Sequence, residues 1–167
     1  MDDIKKDIAF IKFTSLWIPQ LLEFGEAIKM QGDDYYFSPH PFTEDVLRKL
    51  AHCPGKDLYY LMISNDCIMG YGFLRGWEEG YEIPSLGIAI QPKAQCAGLG
   101  KYFMSFLHDM ASRMGAEKVR LRVRKDNEKA IILYKKLNYC LEEDIKNTEY
   151  LIGFRDLVRE EGYENEN

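Results

Sequence analysis

The hydrophobic residues of this chain fall into short stretches with two kinds of spacing, and each stretch predicts one strand or one helix. Runs that are continuous, or that alternate with polar residues, predict strands at 8–13, 58–63, 68–74, 86–91, 119–123, 139–145 and 149–154. The segment Ser64-Asn65-Asp66 predicts a tight turn between the second and third strands, and the last two strands are expected to form a closing hairpin.

Helices are predicted between these strands wherever apolar residues recur three or four positions apart. The longest helix is followed by Gly115, a residue typical of a helix C-terminus, and its apolar face consists of Leu99, Phe103, Phe106, Leu107, Met110 and Met114. An earlier helix contains Leu21, Leu22 and Ile28 and is expected to end at Gly32, and a short one is expected to begin at Thr43. The last begins at Asp126 or Asn127 and runs to about Leu137.

The order of these elements predicts one α/β domain with a mixed sheet. Strands come first, then strand, helix, strand and helix in turn, then strands again. A chain of 167 residues fits one compact domain, and no repeat or linker divides it. We therefore assign residues 1–155 to a single domain and residues 156–167 to a polar, acidic tail.

Composition and charge narrow the class of protein. The net charge of -5 argues against a general nucleic-acid partner, and no apolar run approaches the ~20 residues that a membrane span needs. The charged N-terminus has no signal-peptide core behind it. The four cysteines form no CxxC pair, which favours free thiols in a reducing compartment over a disulfide or a metal site. We expect a cytoplasmic protein with no membrane partner and no metal.

Candidate chemistry lies where the fourth strand meets the longest helix. The segment there is Gln95-Cys96-Ala97-Gly98-Leu99-Gly100-Lys101. The first N–H groups of a helix have no partner inside it and lie at the positive end of its dipole, and glycine lets a bulky anion approach the backbone. Such a turn can hold a pyrophosphate. The alternative is a helix start that contains convenient glycines.

Other glycine motifs do not fit this segment. A Walker A motif needs Ser or Thr after the lysine, whereas Gly100-Lys101 is followed by Tyr102. The dinucleotide fingerprint needs a Gly-x-Gly-x-x-Gly spacing that this turn lacks, and no Gly-x-Ser-x-Gly nucleophile elbow is present.

Two blocks of the sequence together resemble the GNAT superfamily of acetyl-CoA-dependent N-acetyltransferases. The family's Gln/Arg-x-x-Gly-x-Gly/Ala corresponds to the segment from Gln95 to Gly100. The family then commonly shows Asn, Ala and Tyr followed by Leu-Gly-Phe, and this chain has Asn127, Ala130, Tyr134 and Leu137-Asn138-Tyr139. The blocks span 86–139, and the resemblance implies a mixed, splayed central sheet flanked by helices on both faces.

The resemblance also implies a co-substrate and a set of site residues. Acetyl-CoA would place its pantetheine arm along the backbone of Ile88, Ala89 and Ile90, and its diphosphate on Gln95, Cys96, Ala97, Gly98, Leu99, Gly100 and Lys101. Asn127 and Ala130 would also contact the carrier, although Asn127 can equally be a helix cap. Tyr134 would contact the carrier and protonate the leaving thiolate; its alternative role is that of a buried aromatic.

The general base and the acceptor are less defined by the sequence. Glu82 is the first candidate for the base, with His40 and Glu79 next. Two polar, aromatic segments are candidates for acceptor binding, through Tyr36, His40, Arg75, Trp77, Glu79 and Glu82. Acidic groups attract an ammonium ion, and mixed ring and charge chemistry suits polar small molecules. We expect a small-molecule amine, an amino sugar being one candidate.

Two other functions remain open from the sequence. One is acetylation of a peptide or protein amine, at an N-terminus or a lysine, which predicts an open groove. The other is a non-catalytic module that binds acyl-CoA, which predicts binding without transfer. Either a monomer or a homodimer is compatible with the sequence.

Overall fold

The structure is a computed structural model, and it describes residues 7–52 and 54–157. Its strands are β1 (Ile8–Lys12), β2 (Leu58–Ser64), β3 (Cys67–Arg75), β4 (Ser85–Ile90), β5 (Lys118–Arg124), β6 (Cys140–Glu143) and β7 (Tyr150–Asp156). Its α-helices are α1 (Ile18–Gln31), α2 (Glu44–Ala51), α3 (Leu99–Arg113) and α4 (Glu128–Lys136). The predicted strands and helices are therefore confirmed, with ends that differ by up to a few residues.

Three predictions concern parts of the chain outside or at the edge of the described residues. The charged N-terminus up to residue 6, Cys53 and the tail from residue 158 lie outside them. At the predicted boundary, β7 includes Asp156, and Leu157 still packs against the core. The folded part thus extends two residues beyond residue 155.

Short turns of the expected chemistry connect these elements. Asn65 and Asp66 both adopt positive φ, 48° and 58°, as a two-residue hairpin turn between β2 and β3 requires. Helix α1 ends at Gly32, whose φ of 80° lies in the left-handed region that glycine tolerates best. Thr43 precedes α2, but its side chain makes no capping hydrogen bond.

Two hydrophobic cores lie on opposite faces of the sheet. One packs β-strand residues against Phe103, Met104 and Leu107 of α3 and against the inner face of α4. The other packs β2 and β3 against Leu21 and Phe24 of α1 and the inner residue of α2. Helices therefore cover both faces, as predicted. None of the helices described here is long and apolar enough to span a bilayer.

The central feature of the sheet is the junction between β4 and β5. The strand order is β1-β2-β3-β4-β5-β7-β6, and the β4–β5 pair is parallel whereas the other neighbours are antiparallel. These two strands share a single registered pair, Ser85 with Arg120. Beyond that pair they part, so the predicted splayed sheet is confirmed and a cleft opens between the two strands.

Candidate active site

The cleft between β4 and β5 has a volume of about 780 Å³, which is within the usual size range of small-molecule sites. Residues 86–90 of β4 form one wall, and the start of α4 forms the opposite wall. The turn that leads into α3 closes one end. Of the residues predicted to contact the carrier, those that line the cleft are Ile88, Ala89, Ile90, Gln95, Cys96, Gly98, Gly100, Lys101, Ala130, Asn127 and Tyr134.

The turn before α3 has the geometry of an anion-binding helix start. Gly98 is the N-cap residue with φ of 76°, and no side chain caps the helix. A Cβ at Gly98 would meet no atom within 4 Å, so the space beside this glycine is open. Cys96 also has a positive φ, 66°, which is strained for a residue with a side chain. The first N–H groups of α3 are therefore available to a ligand.

Gly100 has a different role from Gly98. A Cβ at Gly100 would lie 3.2 Å from Cδ2 of Leu133, so the missing side chain lets α3 approach α4 closely. The absence of a side chain at the second glycine of the turn thus eases the packing of α3 against α4.

The two lips of the cleft are joined by a segment from a distant part of the chain. The one-turn 3-10 helix Asp33–Tyr35, here called the bridging segment, follows α1. On one lip, Gln95 Nε2 donates to Asp33 Oδ2 at 2.7 Å. On the other lip, the Tyr35 hydroxyl donates to Asp126 Oδ2 at 3.0 Å. The guanidinium of Arg124 lies 4.0 Å from the centre of the Tyr35 ring.

Asn127 acts as a helix cap. Its Oδ1 accepts a hydrogen bond from the backbone N–H of Ala130 at 3.2 Å, which satisfies one of the unpaired donors at the start of α4. Asn127 also lines the cleft, so capping does not exclude a contact with a ligand.

Tyr134 is half-buried in the wall of the cleft. Burial raises the pKa of Tyr134 to about 12, so the phenol is protonated at neutral pH and can donate a proton or a hydrogen bond. Among the described residues, its hydroxyl makes no hydrogen bond, and its ring contacts that of Tyr139. Tyr134 is therefore available to a ligand in the cleft.

Of the candidate bases, His40 has both ring nitrogens occupied. Its Nδ1 lies 3.0 Å from the carbonyl oxygen of Pro41, and its Nε2 lies 2.8 Å from the hydroxyl of Tyr71. Since a carbonyl only accepts, Nδ1 donates and Nε2 accepts from Tyr71. Burial and the charge of Arg75 lower the pKa of His40, and the ring is not part of the cleft wall.

The structure does not bring Glu82 and Tyr134 together. Glu82 and Trp77 line a second cavity of about 640 Å³, which lies beside the start of β5. Glu79 is exposed and lines neither cavity.

Arg75 donates to the carbonyl of Pro39 at 2.9 Å, which anchors the loop after the bridging segment. Among the acceptor candidates, Tyr36 lines the cleft.

Several residues of the cleft were not identified from the sequence. Asp33, Phe37, Arg122 and Asp126 all line it. The sequence predicts Asp126 as a helix cap, and its place beside Asn127 is a usable signal. Phe37 belongs to the aromatic segment 35–41 that the sequence suggests for acceptor binding, and Arg122 belongs to its basic stretch. Asp33 carries no local pattern that distinguishes it from ordinary loop residues.

No metal site accompanies the cleft in the part of the chain that the structure describes. Those residues contain no group of three or more His, Cys, Asp or Glu that could hold a metal ion. The chemistry available here is that of helix N–H groups, the phenol of Tyr134 and the charged side chains at the mouth.

A mixed sheet whose parallel pair parts beside a glycine-containing helix start is the fold that the resemblance to the acetyltransferases implies. Residues 26–139 match the acetyltransferase (GNAT) family, and the chain belongs to that family. The chain is therefore a GNAT-type acetyltransferase.

One sequence relative and two solved structures show what the chain is similar to in sequence and in fold. The thialysine N-epsilon-acetyltransferase of Sus scrofa is 26% identical over 141 residues, which cover 83% of this chain and 68% of that protein. A ribosomal-protein alpha-N-acetyltransferase solved with coenzyme A has a TM-score of 0.76 at 15% identity and covers 92% of this chain and 96% of that chain. A spermidine N-acetyltransferase chimera of Vibrio cholerae and human sequence has a TM-score of 0.73 at 13% identity, covering 90% and 96%.

Proposed function

We propose that this protein transfers the acetyl group of acetyl-CoA to a primary amine of a small molecule, by direct attack in a ternary complex. The observation that carries the proposal is the cleft itself, which has an uncapped helix start at one end and the phenol of Tyr134 in its wall. An acyl carrier with a diphosphate and a long arm fits these two features.

The residues of the cleft match the parts of such a carrier. The N–H groups at the start of α3 suit the diphosphate, and Lys101 and Lys129 add positive charge in the cleft. The edge of β4 beyond Ser85 has no strand partner in β5, because the two strands share one pair. Backbone groups of Ile88 and its neighbours are therefore suited to the amides of the pantetheine arm.

Tyr134 is the proposed general acid. The amine forms a C–N bond to the thioester carbonyl carbon, the C–S bond breaks, and the phenol of Tyr134 gives its proton to the leaving sulfur. A thiol has a pKa of about 8.5, so its thiolate leaves readily, and a positioned acid adds roughly 10²–10⁴ in rate.

Water in the cleft is the proposed acceptor of the amine's proton. His40 has no free nitrogen, and Glu82 lies in the other cavity. Desolvation acts to raise the pKa of Asp126, but hydrogen bonds from Tyr35 and Arg124 outweigh it and leave the pKa lowered, which makes this carboxylate a weak base.

A cationic amine is the proposed acceptor class. Asp33 and Asp126 place carboxylates at the mouth of the cleft, Tyr36 and Phe37 supply aromatic wall, and the chain carries a net charge of -5. The named substrates of two relatives, thialysine and spermidine, are amines with a second charged group, which supports this class. A cytoplasmic location is also proposed, since Cys67, Cys96 and Cys140 are exposed free thiols.

The test is a panel of amines with acetyl-CoA, in which released CoA is measured with a thiol reagent. The panel contains spermidine, thialysine, lysine, glucosamine and a peptide with a free N-terminus. We expect turnover with a cationic small amine and at least a tenfold loss in Tyr134→Phe. Preference for the peptide contradicts the acceptor class, and CoA binding without release from any amine contradicts the enzymatic proposal.

The carrier site has a test with a matched control. Gly98 and Gly80 both have positive φ and open space where a Cβ would be, but only Gly98 lines the cleft. Gly98→Trp and Gly80→Trp should therefore strain the backbone similarly, and only Gly98→Trp should abolish the thermal stabilisation by acetyl-CoA. Equal stabilisation of both variants would show that the diphosphate binds elsewhere.

A further inference from the structure

A series of polar side chains, buried except for the half-buried Arg155, leads from β7 through α3 to the ring beside Tyr134. Arg155 Nη1 lies 2.7 Å from His108 Nδ1, and His108 Nε2 lies 2.7 Å from the hydroxyl of Tyr139. His108 and Tyr139 are each 5% exposed. We call these three residues the buried polar chain. No step of the proposed reaction uses them.

The direction of each hydrogen bond follows from donor chemistry. A guanidinium only donates, so His108 Nδ1 must accept from Arg155. The proton of the neutral imidazole is then on Nε2, which donates to the oxygen of Tyr139. Burial and the charge of Arg155 lower the pKa of His108 to about 3, in keeping with a neutral ring. The hydroxyl hydrogen of Tyr139 consequently takes no part in the hydrogen bond with His108.

The end of α4 connects this chain to Tyr134. Asn138 adopts the left-handed conformation, φ 61°, just after the helix. The N–H of Tyr139 then donates to the carbonyl of Tyr134 at 3.0 Å, and the N–H of Asn138 to that of Lys135 at 3.1 Å, which is a Schellman motif. The rings of Tyr139 and Tyr134 are in contact, with centroids 5.7 Å apart and planes inclined at 54°.

We propose that the buried polar chain positions Tyr134, with Tyr139 as the positioning residue that contacts it and His108 and Arg155 as the residues that fix Tyr139. A Tyr139 ring that cannot rotate holds the neighbouring phenol in one place in the cleft wall. The family block quoted above commonly ends in Phe where this chain has Tyr139, so the hydroxyl that meets His108 is an addition to that pattern. The proposal rests on the acid role of Tyr134.

His108 supplies a hydrogen bond in this arrangement and no proton. If Nε2 gave up its hydrogen while Nδ1 still accepted from Arg155, the ring would become an imidazolate, which is not accessible near neutral pH. The charged and titratable groups that act on His108 and Tyr139 are the guanidinium of Arg155 from β7 and, on Tyr139, the phenol of Tyr134. The proton that restores Tyr134 after each turnover therefore comes from water in the cleft.

The test is a double-variant cycle in the full chain, with acetyl-CoA and the amine of the panel that gives the highest turnover. Tyr139→Phe should lower kcat about tenfold and leave KM for acetyl-CoA within about twofold, because the phenol of Tyr134 is misplaced while the carrier site is intact. In the Tyr134→Phe background the same change should alter kcat by less than about twofold. Tyr60→Phe, a half-buried tyrosine outside the cleft, is the control.

The outcomes separate this proposal from the proposed function. Wild-type kcat in Tyr134→Phe overturns the acid role and the positioning role with it. If Tyr134→Phe loses activity but Tyr139→Phe has no effect on kcat, or lowers kcat equally in both backgrounds, the positioning role alone is overturned.

Independently of activity, ¹⁵N NMR of the imidazole should show His108 protonated on Nε2 and not on Nδ1 at pH 6. An imidazolium or the opposite tautomer would contradict the hydrogen-bond directions assigned to the buried polar chain.

Discussion

His108 makes the stability of this protein depend on pH in a way that can be calculated. The histidine of the unfolded chain has a pKa near 6.5, whereas burial and Arg155 lower the folded value to about 3. Between these values the unfolded chain binds a proton that the folded protein does not. The contribution of His108 is thus fully present above pH 6.5 and is lost as the pH falls towards 3.

The size of the effect follows from the two pKa values. Between pH 7 and pH 5, the linkage relation gives a loss of about 2 kcal/mol from this one residue. The burial of His40 acts in the same direction, so wild-type data alone would mix the two groups. His108→Gln separates them, since glutamine does not titrate and its amide can still donate to Tyr139.

The assay is urea unfolding of both proteins, followed by circular dichroism at pH 7, 6 and 5 and constant ionic strength. At pH 7 the variant should be less stable by about 1–3 kcal/mol, because the hydrogen bond from Arg155 is lost. This deficit should shrink by about 2 kcal/mol at pH 5. A deficit that is the same at all three pH values would refute the assignment of a buried, neutral His108.

Three further predictions follow from the site and its surroundings. Asn127→Ala should lower the free energy of unfolding by about 1 kcal/mol through loss of the cap, whereas Asn127→Asp should retain it; equal urea midpoints would contradict this. Tyr71→Phe removes the donor to His40 Nε2 and should cost about 1 kcal/mol, and an unchanged midpoint would show that this bond contributes nothing. The value of kcat/KM should rise about tenfold per pH unit between pH 6 and 8, because only the neutral amine reacts; a plateau in that range would indicate a protein base.

The sequence predicts the local elements and the open helix start before α3 well, for a physical reason. The stripe of α3 and the glycines before it are contiguous, so their spacing alone defines a helix start with open N–H groups. Spacing therefore places Gly98 at a helix start, whereas the expectation that Tyr134 lies in the same cleft comes from the resemblance to the acetyltransferase family.

The acceptor side depends on contacts between distant residues. His40 meets Tyr71 across 31 positions, and Tyr35 meets Asp126 across 91. The spacing of apolar residues along the sequence does not predict contacts between residues this far apart. Trp77 and Glu82 have the chemistry of an acceptor site, but the course of their loop places them at the second cavity. Composition indicates which residue types suit an acceptor and carries no information on where their loop lies.

The bridging segment and the residue after it connect the two lips of the cleft with its aromatic wall. Asp33 holds one lip of the cleft and Tyr35 the other, and the next residue, Tyr36, belongs to the wall. Under the proposed function, a substitution in this short surface stretch changes the entrance for the carrier together with the surroundings of the amine. We therefore expect selection of this chain for a new acceptor to alter its affinity for the acyl donor as well.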